Sequence, residues 1–400
     1  MDAWKKEMNH EEQIKEVIEN AYNNIPYYQE YFDSMPYSLE EFPYSSKELL
    51  RLNEKKLLSM DAVIDELKVN HTSGTTGVPL KIYKSRKELL RISRSLWKWR
   101  TGILGYENID RMLNITFQIS SMDSPNNNTS GIFETMNCSY ISINDLNEKT
   151  PNQLLEFILK QKPVWIMSTA SLLIDLLDKL SKSERWYDGC LESVKYVEFM
   201  SEKVYETQKE KIIRMLKCKT YSTYGMQEVW PIAGECECGE LHVFDDLVYC
   251  ENTPEGEIVV TSLCQKTFPI IRYKTNDFGK LERKKCKCGK DSTVITGLQG
   301  RKPQKCTVGN VSLSNKVFWL AVESVELKGL GKIEKYKIEQ TADNEFRIFL
   351  KGLVKDGAKE CLTSYLTESF KQELKVDVIS VDQLLNSKVK WNVFESYKDK

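Results

Sequence analysis

The chain has 400 residues, 41% hydrophobic, 10% aromatic and 29% charged, and its 57 Lys+Arg against 58 Asp+Glu leave a formal charge of −1. At roughly 150 residues per domain this predicts two or three domains, with enough chain to bury a core without disulfide staples. The charge balance excludes a global positive field for nucleic acid or an anionic membrane. The apolar share excludes a disordered chain, and no run approaches the ~18 apolar residues that a spanning helix needs.

The first twenty residues alternate acidic and basic side chains and carry no signal-peptide core, so the expected location is cytoplasmic. In a reducing compartment the eleven cysteines read as thiols or metal ligands, not disulfides. Ile14, Val17, Ile18, Ala21 and Tyr22 recur at helical spacing within 10–33, with a break expected around Pro26. A second helix is expected over 86–101. Strand-like runs at Met112–Phe117, Val164–Met167, Val194–Phe199 and Glu257–Thr261 alternate with helical patterns at 152–161, 170–181 and 204–217. Such alternation predicts an α/β architecture with a partly parallel sheet. Beyond Arg301 the pattern becomes helix (315–325), strands (Tyr336–Glu339, Phe346–Leu350), helix (358–374) and strand (Val376–Ile379). We therefore expect a large body over 1–301 and a compact α+β unit over 302–400.

The segment Thr72-Ser73-Gly74-Thr75-Thr76-Gly77 packs hydroxyls and two glycines together. Glycines let backbone approach a polyanion, and successive N–H groups and hydroxyls can donate to phosphate oxygens. The segment lacks the Gly-Lys-Ser/Thr that closes a Walker loop. Phe199-Met200-Ser201-Glu202, Thr223-Tyr224-Gly225-Met226-Gln227-Glu228, Arg272-Tyr273-Lys274-Thr275-Asn276-Asp277, Gly300-Arg301 and Ser387-Lys388 follow it along the chain.

In that order these segments resemble the phosphate loop, adenine segment, Y-G-x-T-E, R-Y-x-T-G-D, hinge and C-terminal lysine of the adenylate-forming superfamily. Ile25-Pro26-Tyr27-Tyr28 and Tyr44-Ser45-Ser46-Lys47 are similar to the opening of its phenylacetate–CoA ligase branch, which includes coenzyme F390 synthetase-like and capsule-cluster proteins. The resemblance implies a large adenylation domain with mixed sheets and helices, and a small mobile α+β domain. It implies ATP-dependent activation of an aryl or small carboxylic acid to an acyl-adenylate, with pyrophosphate released and the acyl group passed to CoA. It also implies roles. Thr72–Gly77 would hold phosphates, and Ser201, Glu202, Tyr224, Gly225 and Gln227 would line the nucleotide, with Tyr224 stacked on adenine. Asp277 would bind the ribose hydroxyls, Arg301 would donate near the ribose or phosphates, Glu228 would ligate Mg²⁺, and Lys388 would stabilise charge at the α-phosphate.

The chain departs from the family at several places. Gln227 stands for Thr, Asn276 for Gly, and Lys302-Pro303-Gln304 for the rest of the hinge motif, while Trp391 follows the lysine where a basic residue is usual. Lys390 lies two residues from Lys388 as a rival catalytic lysine. A carrier protein, a protein cysteine or an amine stands beside CoA as alternative acceptor, a non-catalytic zinc-stabilised nucleotide-binding module is a third reading, and a homodimer stays open.

Cys236-Glu237-Cys238-Gly239 and Cys286-Lys287-Cys288-Gly289 echo one another. Four soft ligands in two clips suit structural zinc, with His242 near enough to replace one thiol. Scattered cysteines such as Cys190 and Cys361 read as inert buried thiols. The acyl pocket is expected between the phosphate loop and Tyr224, with the polar run Pro125–Gly131 at its mouth and Trp230 as an aromatic wall.

Overall fold

The computed structural model describes residues 10–71, 80–104, 111–116, 133–135, 138–202, 204–301, 305–314, 316–380 and 393–397. The chain divides into two compact units, Met1–Gly300 and Arg301–Lys400.

The first helix, His10–Asn24, buries Val17, Ile18 and Ala21, the face its periodicity announced. Pro26 does break it, and then serves as the opening residue of a second helix, Pro26–Tyr31. A proline costs nothing there because its missing N–H would have had no helical partner. Helix Arg86–Leu104 follows the short strand Lys81–Lys84.

Strands Cys138–Ser142, Met112–Thr116, Trp165–Ser168, Tyr196–Phe199 and Lys219–Tyr224 pair in parallel in that spatial order. The returns run through helices, including Pro151–Gln161, Ala170–Leu180 and Glu206–Leu216. Two of these start at threonine caps: Thr150 accepts from Gln153 N and Thr169 from Leu172 N, which satisfies backbone donors that a helix start leaves over. From Lys219–Tyr224 the sheet continues antiparallel through Ala233–Glu235 and Leu241–Val243 to Asp291–Arg301, and twelve described strands form one continuous sheet. Two of its strands, Tyr196–Phe199 and Glu257–Ser262, are buried along their whole length.

The second unit is α+β. Gly331–Ala342 and Glu345–Val354 form an antiparallel hairpin, flanked on each side by a parallel strand, Val393–Ser396 and Lys375–Ser380. Helices Lys316–Leu327 and Ala358–Phe370 contribute to a core in which the rings of Phe318, Phe346, Phe370 and Phe394 meet. Cys190 and Cys361 are buried thiols. Among the described residues no helix is long and apolar enough to cross a membrane.

Candidate active site and metal centre

The predicted phosphate loop, Thr72–Gly77, lies outside the described residues, but both of its ends are held. Lys68–His71 and Lys81–Lys84 pair antiparallel with His71 opposite Lys81, so the loop joins two strands of one hairpin. Lys388 and the run Pro125–Gly131 also lie outside the described residues, as does the side chain of Arg301, whose backbone ends strand Asp291–Arg301.

Tyr224 and Asp277, 53 residues apart, meet: the tyrosine hydroxyl donates to Asp277 Oδ2 at 2.9 Å. Burial, with the Asp277 charge second, pushes the Tyr224 phenol well up, so it stays a neutral donor. Asp277 lies in strand Tyr273–Lys285 at an irregularity in its pairing with Glu257–Ser262, where Asn276 has φ +61°, a region asparagine tolerates better than most residues. This is why Asn can stand where glycine is usual. Asn276 N donates to Glu257 Oε1 and Asp277 N to Thr275 Oγ1.

Gly225 is needed for packing. A Cβ there would stand 2.5 Å from Cε3 of Trp230, so the ring expected to wall the acyl pocket packs against this glycine. Glu228 follows, 7% exposed. Tyr273 Oη donates to its Oε1 at 3.2 Å, and Lys47 Nζ stands 4.0 Å from the same oxygen. Lys84, 3% exposed, donates from Nζ to Gln227 O at 3.4 Å, and Gln265 Nε2 donates to Glu228 O. Burial pulls the Lys84 ammonium down to about 8, against the pull of Cys264, Glu88 and Glu228. The Gln227 side chain is exposed.

On the adenine segment, Ser201 has φ +68°, and Glu202 accepts from Ser171 N at 2.7 Å and Ser171 Oγ at 3.0 Å. Glu202 thus serves the start of helix Ala170–Leu180, a role its motif did not suggest. Beneath this segment Glu198, fully buried, is gripped by Arg100 Nε and an Nη at 2.8 and 2.9 Å. The guanidinium also sits 4.9 Å from the ring centroid of Trp165 and 5.1 Å from that of Trp97. Thr223 Oγ1 donates to Phe199 O at 3.2 Å, so the pair and the threonine tie the strand before Ser201 to the strand before Gly225. Arg100 and Glu198 were invisible in the sequence, where each is one charge among many; the one available signal was an acidic residue inside the apolar run Tyr196–Phe199.

The two CxCG clips form turns of the same shape. Gly239 N donates to Cys236 O and Gly289 N to Cys286 O, at φ +79° and +88°, conformations that favour glycine. The clips cap adjacent hairpins, because Leu241 pairs with Ile295 and His242 with Val294. Ligand atoms of Cys236, His242, Cys286 and Cys288 lie within 4.8 Å of one another. Cys236 Sγ to Cys286 Sγ is 3.9 Å and Cys288 Sγ to His242 Nε2 is 3.5 Å. A tetrahedral zinc with Zn–S of about 2.3 Å and Zn–N of about 2.0 Å has edges of about 3.8 and 3.5 Å, so the donor set fits that ion. His242 Nδ1 bonds Ser292 Oγ at 2.7 Å, the outer partner that orients a ligating imidazole, and burial lowers the His242 pKa, keeping Nε2 a lone-pair donor. The exposed Cys238, expected as a ligand, falls outside this compact set, and His242, the alternative raised from the sequence, lies inside it.

No protein-family model matches the chain. It is 25% identical to a phenylacetate–coenzyme A ligase of Aromatoleum evansii over 316 residues, covering 72% of this chain and 69% of that protein. It is 24% identical to the phenylacetate–coenzyme A ligase of Escherichia coli over 302 residues, 68% of this chain and 66% of that protein. Among solved structures it is similar to 2-hydroxyisobutyryl-CoA ligase in the postadenylation state, with a TM-score of 0.70 and 16% identity, covering 98% of this chain and 89% of that chain. The fold is that of the adenylate-forming ligases.

Proposed function

We propose that this chain, a phenylacetate–CoA ligase-like adenylate-forming enzyme, joins a small or aryl carboxylic acid to AMP from ATP, releases pyrophosphate, and passes the acyl group to CoA. The observation that carries the reading is the meeting of two separate motifs, 223–228 and 272–277: Tyr224 bonds Asp277, and Tyr273 bonds Glu228. The 2-hydroxyisobutyryl-CoA ligase with this fold was solved with an acyl-AMP and CoA together, which supports the two-step order.

The substrate carboxylate and the α-phosphate are both negative, and at contact range their repulsion is on the order of 4 kcal/mol at an effective dielectric near 20. Residues of this chain oppose it. Glu228 offers the hard oxygen that Mg²⁺ prefers; the ion neutralises phosphate charge when bound. Tyr273 and Lys47 keep that carboxylate aimed, while Lys84 and Gln265 hold the backbone on either side of it. Tyr224 presents a ring to adenine, and Asp277 accepts from the ribose hydroxyls. The hairpin ends at His71 and Lys81 deliver the phosphate loop. By the family resemblance Lys388 would stabilise charge developing at the α-phosphate. Gly300 and Arg301 mark the junction between the units.

A structural zinc on Cys236, His242, Cys286 and Cys288 belongs to the same proposal. It would clamp the chain just after Glu228 to the hairpin of Tyr273–Lys285 and Asp291–Arg301, which carries Asp277, holding both nucleotide motifs in register. Four protein ligands leave no open position, so its role is architectural.

Incubation with ATP, Mg²⁺, CoA and a series of aryl and short aliphatic acids tests the reading. Acid-dependent loss of free CoA thiol with stoichiometric AMP is the expected result. AMP formation that leaves CoA untouched would move the acceptor to a carrier protein or an amine. A Lys388→Ala chain that kept full adenylation would remove that lysine from the mechanism.

A further inference from the structure

Two neighbouring strands carry nucleotide segments out of the sheet. Tyr196–Phe199 leads into Ser201 and Glu202, and Lys219–Tyr224 leads into Gly225 and Gln227. Their parallel ladder runs from Tyr196 opposite Lys219 to Phe199 opposite Ser222. Past that point both segments leave the carboxyl ends of their strands, the edge at which open α/β sheets bind ligands. Among the described residues, side chains then set the gap between them. Thr223 Oγ1 donates to Phe199 O at 3.2 Å and lies 3.4 Å from Glu198 Oε1. That carboxylate oxygen also accepts from Arg100 Nη2 at 2.9 Å, while Glu198 Oε2 accepts from Arg100 Nε at 2.8 Å.

Arg100 comes from helix Arg86–Leu104, which follows the hairpin that holds both ends of the phosphate loop. The rings of Trp97 and Trp165 and the Met167 sulfur, 3.9 Å from Nη2, surround the guanidinium. Both partners are buried. Such a pair is a weak source of stability, because taking two charges out of water can cost more than their attraction returns. What a two-bond fork does supply is a fixed geometry. Here it joins three elements: the helix after the phosphate loop, the strand before Ser201 and, through Thr223, the strand before Gly225.

We propose that Arg100 and Glu198 are positioning residues for the adenosine half of the nucleotide. Together with Thr223, the buried pair sets the separation of segment 199–202 from segment 223–227, and so the width of the slot that the adenine ring enters. The two residues act through Thr223 and the strand backbone, not by contact with the ligand. Their effect falls on adenosine, which ATP and AMP share, and not on the phosphates that ATP alone adds. The inference rests on the nucleotide reading above, and its test separates the two.

Calorimetric titration of the full chain with AMP and, separately, with ATP and Mg²⁺ is read beside urea unfolding of the same variants. Arg100→Met combined with Glu198→Gln removes both charges at once, so stability should return most of the way to wild type. AMP and ATP should nevertheless each bind about tenfold more weakly. Arg100→Lys keeps a cation beside Glu198 and should bind both nucleotides more tightly than the double variant does. Thr223→Val removes the hydroxyl without stranding a charge; it should weaken both nucleotides alike, and it decides the matter should the double variant not fold. Affinity that returned together with stability would reduce the pair to a structural role and overturn the proposal, as would a loss confined to ATP. A wild-type chain that bound neither nucleotide would sink the nucleotide reading and the positioning role with it. Wild-type binding of both, unchanged in the variants, would sink the positioning role alone.

Discussion

The carboxylate of Glu228 and the cysteine clips, the first of which begins a few residues further along the chain, solve opposite problems. Around Glu228 the protein supplies its own positive charge, with Lys47 at 4.0 Å and Lys84 beside Gln227. Around Cys236, His242, Cys286 and Cys288 it gathers four electron-pair donors, and the neighbouring Lys284 is paired with Glu240 instead. A site whose cation arrives and leaves with a substrate must stay folded between turnovers, so built-in cations suit it. Donors gathered this closely without one call for an ion that stays.

That contrast can be broken most forcefully at the clips. Removing zinc with a chelator, or replacing Cys286 by Ser, should cost a large part of the ~10 kcal/mol that a structural zinc can contribute. Elemental analysis should find about one zinc per chain in Cys238→Ala and far less in His242→Ala. The reverse result would restore Cys238 to the ligand set.

Another buried acid, Glu198, carries its cation permanently. Arg100→Met should destabilise the chain by about 3–5 kcal/mol in urea unfolding, because it strands a buried charge. Adding Glu198→Gln should recover a good part of that loss; a double variant no better than the single would mean that Arg100 acts by packing on its tryptophans.

Glu228→Gln should leave the fold intact, since Lys47 and Lys84 then lose only a partner near solvent or keep a carbonyl. Acyl-adenylate formation should fall about a hundredfold to a thousandfold, the scale of removing one preorganised electrostatic contact. An unchanged rate would place the metal elsewhere. Gly225→Ala should cost least, about 1–3 kcal/mol from forcing a methyl onto Trp230, read as a lower midpoint of thermal unfolding.

The strand–helix alternation and the separate α+β unit were legible in the sequence because apolar periodicity follows the backbone's own geometry. Asn276 in the place of a glycine was legible in the sequence, and its φ of +61° accounts for the exchange locally. The clips were legible as a repeated spacing, but the choice between Cys238 and His242 was not. It depends on the antiparallel pairing of Leu241–Val243 with Asp291–Arg301, a long-range register that no spacing encodes. Arg100, Glu198, Lys84 and Lys47 were missed for the same reason: each acquires its meaning from a partner 98 to 181 residues away. Glu202 shows the converse, a motif residue whose carboxylate is engaged by Ser171.

Acid-dependent exchange of labelled pyrophosphate into ATP tests the central claim most directly. The chain should support exchange with at least one aryl or short aliphatic carboxylic acid in the presence of Mg²⁺, and exchange should vanish without the acid. Tight binding of ATP with no exchange for any acid in a broad series would contradict the account, and would leave a zinc-clamped nucleotide-binding protein in its place.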